Sequence, residues 1–232
     1  VNHFCYFKNG KTQQALLSAL TSKDDIPALF KEYISTGRDE AQRGVFGLEG
    51  GAVFYDQVCG HKPIAVVLPG IMGSNLSKEG NSVWINYIKI MSGGLFDLDP
   101  SKPGIRASSL IKTSYKKLCN YLSDEYDVVT FPFDWRISVI ESSKYLNDKI
   151  KFLLSYNQPI KIIAHSMGNM KASIAMWNMQ QSEKDDLIQL YVALAPPLLG
   201  ATMPVSFLTC GSNDFSIPFF NIGLDMKTWK RV

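Results

Sequence analysis

The sequence has no long apolar run, although 46% of its 232 residues are apolar. The longest apolar stretch, "IAVVLPGIMG", is interrupted by Pro and Gly well short of the roughly 20 residues that a membrane-spanning helix requires. A chain of this length and apolar content can bury a sizeable core. We therefore expect one main globular domain and no membrane-spanning helix.

The sequence also lacks charge of one dominant sign. It contains 24 basic and 21 acidic residues, a formal net charge of +3, and the two signs are interspersed. Nucleic-acid-binding proteins usually carry a clustered basic face, which is absent from this pattern. We therefore expect no nucleic-acid partner.

Paired cysteines are missing as well. The chain has four cysteines, Cys5, Cys59, Cys119 and Cys210, and no Cys-x-x-Cys pair. A disulfide framework or a metal site remains an alternative, but the wide spacing favours isolated small core residues. Neither the redox compartment nor the cellular location follows from this pattern.

Short β-branched runs alternate with amphipathic segments from residue 64 onward. The runs are "IAVVL", "DVVTF", "IKIIA" and "IQLYVALA", and the predicted helices cover residues 107–124, 142–155 and 169–181. Parallel strands need crossover connections, which are usually helices. The pattern predicts an α/β fold with a mostly parallel sheet and helices on both of its faces.

The regions outside this alternation divide the chain further. Residues 1–50 have helical periodicity and end in a glycine-rich joint, so we interpret them as a helical arm or the tail of a preceding domain. Residues 51–232 form the main domain. Within it, residues 75–106 are rich in Gly, Ser, Asn and Asp and are a candidate lid.

Ser166 is a candidate nucleophile because it follows the strand "IKIIA" and precedes a predicted helix. Ligands of parallel sheets bind at the carboxyl ends of the strands. A serine on such a tight strand-to-helix turn needs small residues two positions before and after it, and Ala164 and Gly168 satisfy this requirement. The five-residue pattern also occurs by chance, but the order of strand, serine, small residue and helix favours a nucleophile.

The stretch "VVLPGIMGS" forms a second candidate site at the end of a strand. One interpretation is a phosphate loop, but the Gly-Lys-Ser/Thr ending of such loops is absent. The favoured interpretation is half of an oxyanion hole, in which the backbone N–H groups of Ile71 and Met167 face the developing negative oxygen. A plain glycine-rich turn is the third alternative.

The stretch "FPFDWR" places an acid, an aromatic ring and a guanidinium at the end of another strand. Asp134, Trp135 and Arg136 are compatible with an internal ion pair stacked on an aromatic ring and with a substrate-facing wall. Trp84 is a further candidate for the acyl site. A core position is the favoured alternative for Trp84, Trp135 and Trp177.

Taken in order, these motifs resemble a known family. The stretches "VVLPGIMGSNL", "FPFDWR" and "AHSMGNM", followed by "LAPPLLGA" and "CGSNDFSIP", are similar to the lecithin:cholesterol acyltransferase family of α/β-hydrolases. That family includes lysosomal phospholipase A2 and phospholipid:diacylglycerol acyltransferases. The resemblance spans about residues 62–220, with Ala164 and the "APPLLGA" segment as departures from the usual pattern.

The resemblance implies a function and a set of site residues. Ser166 matches the nucleophile, Ile71 and Met167 match the oxyanion-hole amides, and the "DWR" triplet matches a motif that lines the acyl site. Family members transfer an acyl group from a lipid ester through the serine to water or an alcohol, without a metal or an organic cofactor. A lipid substrate, contact with a lipid surface, and the start of a cap at residues 202–232 are further expectations.

A histidine that could activate Ser166 is missing. In this fold the triad follows the order serine, acid, histidine, but His3, His61 and His165 all precede Ser166. His165 is adjacent to the serine on a tight turn, where the two side chains diverge. We therefore expect a catalytic acid and histidine beyond Val232, in a longer protein. The alternative is a non-catalytic module of hydrolase fold that binds a lipid or a protein.

Overall fold

The computed structural model describes residues 51–86, 97–179 and 188–201, together with Gly10, Gln14 and Leu16. Within these ranges the strands form two sheets, one parallel and one antiparallel. The strands are β1 (Ala52–Val53), β2 (Ile64–Leu68), β3 (Ser74–Lys78), β4 (Asn81–Trp84), β5 (Ile105–Ile111), β6 (Asp127–Thr130), β7 (Ile160–His165) and β8 (Ile188–Leu194). The helices are α1 (Lys112–Ser123), α2 (Val139–Leu154) and α3 (Met167–Trp177).

The parallel sheet has the strand order β6–β2–β7–β8. Every residue of β2 and of β6 is buried. Strands that are covered on both faces are expected to be continuously apolar, which explains runs such as "IAVVL". The predicted α/β class and all four predicted parallel strands are confirmed.

Helices cover both faces of this sheet, as the sequence predicts. On one face, Leu118 and Leu122 of α1 share a core cluster with Ala65 and Val67 of β2. Alternate residues of a strand point to opposite faces. The opposite face accordingly packs α2 and α3 in a cluster that includes Ile64, Val66, Leu146, Ile150 and Ala172.

The antiparallel sheet has the strand order β1–β5–β3–β4 and was not predicted. Its strands contain many polar residues, and several of these are buried. The Asn75 side chain donates hydrogen bonds to Ser109 Oγ at 2.9 Å and to the Leu110 carbonyl oxygen at 3.2 Å. This sheet has its own small apolar cluster, which contains Leu76, Val83, Trp84, Leu98 and Ile111.

The helix predicted over residues 107–124 is wrong in its first part. Residues 107–111 belong to β5, and α1 begins at Lys112. β5 pairs with β1 on one edge and with β3 on the other. These tertiary pairings outweigh the local pattern, since strand formation depends strongly on context.

The candidate lid at residues 75–106 is partly regular structure. The sequence assigned no strand to this segment, but it contains most of β3, all of β4 and the start of β5. Because these strands pair with one another, they need no place in the parallel sheet. Residues 87–96 lie outside the described residues, and a lid function stays a prediction.

The proposed arm and cap fall mostly on residues that the structure does not describe. Gly10, Gln14 and Leu16 are helical. Leu16 is buried in the same cluster as Val53 and Ala65. The cap segment, residues 202–232, lies outside the described residues. The domain boundary near residue 50 therefore stays a prediction.

Two predicted core residues lie on the surface. Trp177, at the end of α3, is 84% exposed, because the buried face of that helix is formed by residues such as Gly168, Ala172 and Ala175. Cys59 is exposed in the loop before β2, whereas Cys119 is buried as predicted. Among the described helices, none combines the length and apolarity needed to cross a membrane.

Candidate active site

Ser166 lies on a strained turn directly between β7 and α3. Its φ of 51° and ψ of −122° fall outside the helical and extended regions, and positive φ is uncommon for a residue with a side chain. The Ser166 N–H donates to the Leu194 carbonyl oxygen at 2.8 Å, which ties the turn to β8. The side chain makes no capping hydrogen bond to α3. The hydroxyl is therefore not engaged in stabilising the helix terminus.

Close packing explains the small residues on both sides of Ser166. A Cβ added to Gly168 would lie 2.5 Å from the Pro69 carbonyl oxygen, a separation that real Cβ atoms do not show. Ala164 is fully buried in the core beneath α2 and α3. The small residues therefore allow the end of β2 to approach α3.

The buried side chain of Asn169 stabilises the turn at Ser166 through hydrogen bonds. Its fully buried side-chain NH₂ donates to the carbonyl oxygens of Ser166, at 2.9 Å, and Leu194, at 3.0 Å. The Tyr191 hydroxyl donates to Asn169 Oδ1 at 2.9 Å. The buried amide thus has a partner for its oxygen and two for its nitrogen, and it joins α3 to β8.

The turn between β2 and β3 lies beside Ser166. It is closed by a hydrogen bond from the Gly73 N–H to the Gly70 carbonyl oxygen, at 3.0 Å. A Cβ on Gly70 would lie 2.9 Å from the Cβ of Ser166, so this approach requires glycine. Sequence analysis placed Ile71 at this turn, and the structure brings the turn to the serine.

The backbone N–H groups of Ile71 and Met167, the two predicted oxyanion-hole donors, are not used in regular secondary structure. Within residues 51–86, 97–179 and 188–201, the Ile71 N–H makes no hydrogen bond. Met167 is the first residue of α3, and the first N–H groups of a helix have no intrahelical acceptor. A helix N-terminus also favours negative charge. Both amides are therefore chemically suited to an anionic oxygen.

Behind the turn, the buried Tyr115 hydroxyl joins α1, β7 and the turn. The Gly70 N–H donates to this hydroxyl at 2.9 Å, and the hydroxyl lies 2.9 Å from His165 Nδ1. Burial raises the pKa of Tyr115 well above its usual value, so the phenol stays protonated. His165 is thereby engaged with Tyr115 on the side away from bulk solvent.

The histidines described by the structure do not provide an obvious base. His165 ends β7 and is buried, with its Nδ1 directed at Tyr115. His61 precedes β2 by three residues, at the amino end of the parallel sheet, whereas Ser166 lies at the carboxyl end. His3 lies outside the described residues.

Asp134 and Arg136 form a buried ion pair. Arg136 Nη2 lies 2.7 Å from Asp134 Oδ2, and its Nε donates to Oδ1 at 2.9 Å. Arg136 Nη1 also donates to the Asp99 carbonyl oxygen at 3.1 Å. The internal ion pair that the sequence suggested is therefore present.

Trp84 and Trp135 pack edge to face, with ring centroids 5.4 Å apart. Trp84 Nε1 donates to the Met72 carbonyl oxygen at 3.0 Å, and Trp135 Nε1 donates to the Ser74 carbonyl oxygen at 3.3 Å. Both rings thus support the turn between β2 and β3. Among the described residues, no hydrogen bond joins either indole to Ser166.

Lys171 is a buried cation on α3 that sequence analysis missed. Its ammonium contacts Ser142 Oγ on α2 and lies 4.2 Å from the centroid of the Phe133 ring. Burial lowers the pKa of Lys171 to about 8, although nearby Asp134 acts in the opposite direction. Lys171 lies three residues after Gly168 and four before Ala175, so helical spacing places it on the buried face of α3. This spacing could have predicted its burial.

Comparison with known proteins identifies the family. The family model described as "Lecithin:cholesterol acyltransferase" matches residues 98–229, more than half of the chain. The chain belongs to the lecithin:cholesterol acyltransferase family. Membership implies an α/β-hydrolase fold, with which the parallel sheet and its two helical layers agree.

Curated relatives in the lecithin:cholesterol acyltransferase family match a limited part of the chain. "Lysosomal phospholipase A and acyltransferase" from Bos taurus is 33% identical over 122 residues, and the Homo sapiens protein of that name is 32% identical over 123. "Phosphatidylcholine-sterol acyltransferase" from Gallus gallus is 30% identical over 123 residues. Each match covers 50% of this chain, and 30%, 29% and 28% of the respective relatives.

Tyr115, Asn169 and Lys171 are the residues of this candidate site that the motifs did not single out. Asn169 lies inside the motif "AHSMGNM" and Lys171 directly follows it, so their nearness to Ser166 was available from the sequence. Tyr115 is 51 positions away from Ser166, and only the fold brings its hydroxyl to the turn. No local pattern could have identified it.

Proposed function

We propose that this chain carries the nucleophile and the oxyanion hole of a serine-dependent lipid-ester hydrolase or acyltransferase. The observation that carries the proposal is the approach of the Gly70 turn to the strained Ser166, with a Cβ on Gly70 excluded by the serine. In acyl transfer, a nucleophile on such a turn requires N–H donors close to the substrate oxygen. The names of the relatives support a lipid ester as substrate.

The proposed chemistry has two steps, acylation and then deacylation of Ser166. Ser166 Oγ attacks the ester carbonyl carbon and gives its proton to a base, while the Ile71 and Met167 N–H groups bind the oxyanion. The C–O bond to the leaving alcohol then breaks, and the base returns the proton to that alcohol. Water or a second alcohol attacks the resulting acyl-enzyme in the same way and releases an acid or a new ester.

The base in this proposal is a histidine held by an acidic residue, and both are outside the printed sequence. Two observations support this assignment: His165 is engaged with Tyr115, and His61 lies at the opposite end of β2. Losing a triad member typically lowers kcat on the order of 10⁴-fold or more. We therefore expect residues 1–232 alone to be nearly inactive.

The aromatic and charged cluster beside the turn completes the proposed acyl site. Trp84 and the stretch of Asp134, Trp135 and Arg136 would form its wall, since the two rings contact the carbonyl groups of Met72 and Ser74. Ile71 is 46% exposed at the same turn, which supports contact with an apolar acyl chain or a lipid surface. No metal or organic cofactor takes part in the proposed mechanism.

A fluorophosphonate probe tests the proposal, because it reacts rapidly only with a serine that has a working base. The full-length natural protein should be labelled, and its Ser166→Ala variant should not. The matched control is Ser155→Ala, which removes an exposed hydroxyl at the end of α2 and should leave labelling unchanged.

The result also separates the proposal from its alternative. Equal labelling of the wild type and of Ser166→Ala would refute the catalytic proposal and favour a non-catalytic lipid- or protein-binding module. If labelling depends on Ser166, the release of free fatty acid from phosphatidylcholine vesicles, with and without a sterol acceptor, distinguishes hydrolysis from transfer.

A further inference from the structure

We infer that Tyr115 is a positioning residue that holds the oxyanion turn against the nucleophile. This inference rests on the proposed function, and it assigns a role to a side chain that contacts neither the substrate nor Ser166 Oγ in the proposed mechanism. Tyr115 is 2% exposed, and its hydroxyl belongs to a hydrogen-bonded set that crosses three elements of the fold.

The first contact fixes the turn. The Gly70 N–H can only donate, so the Tyr115 hydroxyl oxygen accepts from it, at 2.9 Å. A Cβ on Gly73 would lie 2.8 Å from the same oxygen. The hydroxyl therefore lies against both ends of the turn that carries Ile71.

The second contact fixes the turn relative to the serine. The Tyr115 hydroxyl lies 2.9 Å from His165 Nδ1, and His165 is the residue directly before Ser166. One hydroxyl thus joins the residue before the proposed oxyanion amide to the residue before the nucleophile.

Burial keeps the Tyr115 hydroxyl protonated and withholds water as a substitute partner for the Gly70 N–H. The raised pKa of Tyr115 keeps its proton in place over the physiological pH range. Removing a partner from a buried N–H leaves that donor unsatisfied, which costs about 1–3 kcal/mol and favours movement of the turn. Small displacements of catalytic groups have large consequences, on the order of a hundredfold in rate for about 1 Å.

The test compares Tyr115→Phe with Tyr121→Phe in the full-length protein. Tyr121 is a half-buried residue of the same helix, and its hydroxyl has no part in this hydrogen-bonded set. For a p-nitrophenyl ester, Tyr115→Phe should lower kcat about ten- to a hundredfold and leave KM within about twofold, because the turn stabilises the transition state rather than the bound ester. Tyr121→Phe should leave both unchanged.

Amide hydrogen exchange at Gly70 provides a readout that does not depend on activity. We expect faster exchange at Gly70 in Tyr115→Phe and unchanged exchange in Tyr121→Phe. An unchanged kcat, or unchanged Gly70 exchange in Tyr115→Phe, overturns the inference. If the wild type is not labelled at Ser166, the proposed function fails, and Gly70 exchange alone still decides whether Tyr115 positions the turn.

Discussion

The two sheets of this protein are stabilised in different ways. The parallel sheet contains fully buried apolar strands such as β2, whereas the antiparallel sheet buries polar side chains such as Asn75 and Ser109 in hydrogen bonds. The first pattern can be read directly from a sequence, because continuous apolar runs mark covered strands. The second pattern cannot be read from a sequence. Polar residues are usually expected at the surface, and their burial becomes predictable only when their hydrogen-bond partners are known.

The proposed site lies where the two sheets meet. β2 of the parallel sheet and β3 of the antiparallel sheet are joined by the turn that contains Gly70 and Ile71. Ser166 approaches that turn from β7. The parallel sheet thus positions Ser166 and the proposed Met167 donor, and the antiparallel sheet helps to position the proposed Ile71 donor.

The largest expected effect is the loss of kcat in Gly70→Ala, a substitution in the turn that joins the two sheets. The added Cβ would lie 2.9 Å from Ser166 Cβ and 3.1 Å from His165 Nδ1, so the turn or the serine must move. We expect kcat of the full-length protein to fall about a hundred- to a thousandfold, the size of a lost oxyanion donor.

Gly10→Ala is the control for this substitution, because a Cβ at helical Gly10 meets nothing within 4 Å. Steady-state kinetics, together with a thermal melt of each variant, separate a local displacement from unfolding. Wild-type kcat in Gly70→Ala would show that the turn lies away from the reacting atoms.

The next effect distinguishes the two kinds of sheet. Ile162→Ala creates a cavity at a fully buried position of β7, and such changes cost about 3–4 kcal/mol of unfolding free energy. Asn75→Ala, the counterpart in the antiparallel sheet, leaves Ser109 Oγ and the Leu110 carbonyl without this donor and should cost about 1–2 kcal/mol. Urea unfolding measures both values, and a larger loss for Asn75→Ala would reverse the comparison.

The last effect concerns Lys171, a buried charged side chain on a helix that covers the parallel sheet. Lys171 has a pKa of about 8 in the folded protein, below its usual 10.5. Between these two values the unfolded chain binds more protons, so the stability of the folded state rises with pH. The shift corresponds to about 2–3 kcal/mol across this range.

Lys171→Met isolates this contribution, because other titrating groups cancel when the two proteins are compared. The unfolding free energy of the wild type, relative to that of Lys171→Met, should increase from about pH 8 to pH 10.5. A difference that stays constant over this range would mean that Lys171 titrates normally and that its burial has little electrostatic consequence.

Much of the fold and part of the site could be predicted from the sequence. The apolar strands gave the parallel sheet, and the small residues Ala164 and Gly168 gave the sharp turn at Ser166. The start of α1 could not be predicted, because β5 is formed by pairing with two distant strands. Tyr115 was missed for a similar reason, since its partners are distant in sequence.

The hydrogen bonds of Ser166 and Asn169 have a consequence for how the protein is made. Among the described residues, the groups that contact the strained turn at Ser166, from Gly70 to the Leu194 carbonyl oxygen, lie in one continuous part of the chain. Once residues 70–194 have left the ribosome, these described groups are all present. The strained turn at Ser166 can therefore form as soon as this part of the chain has left the ribosome.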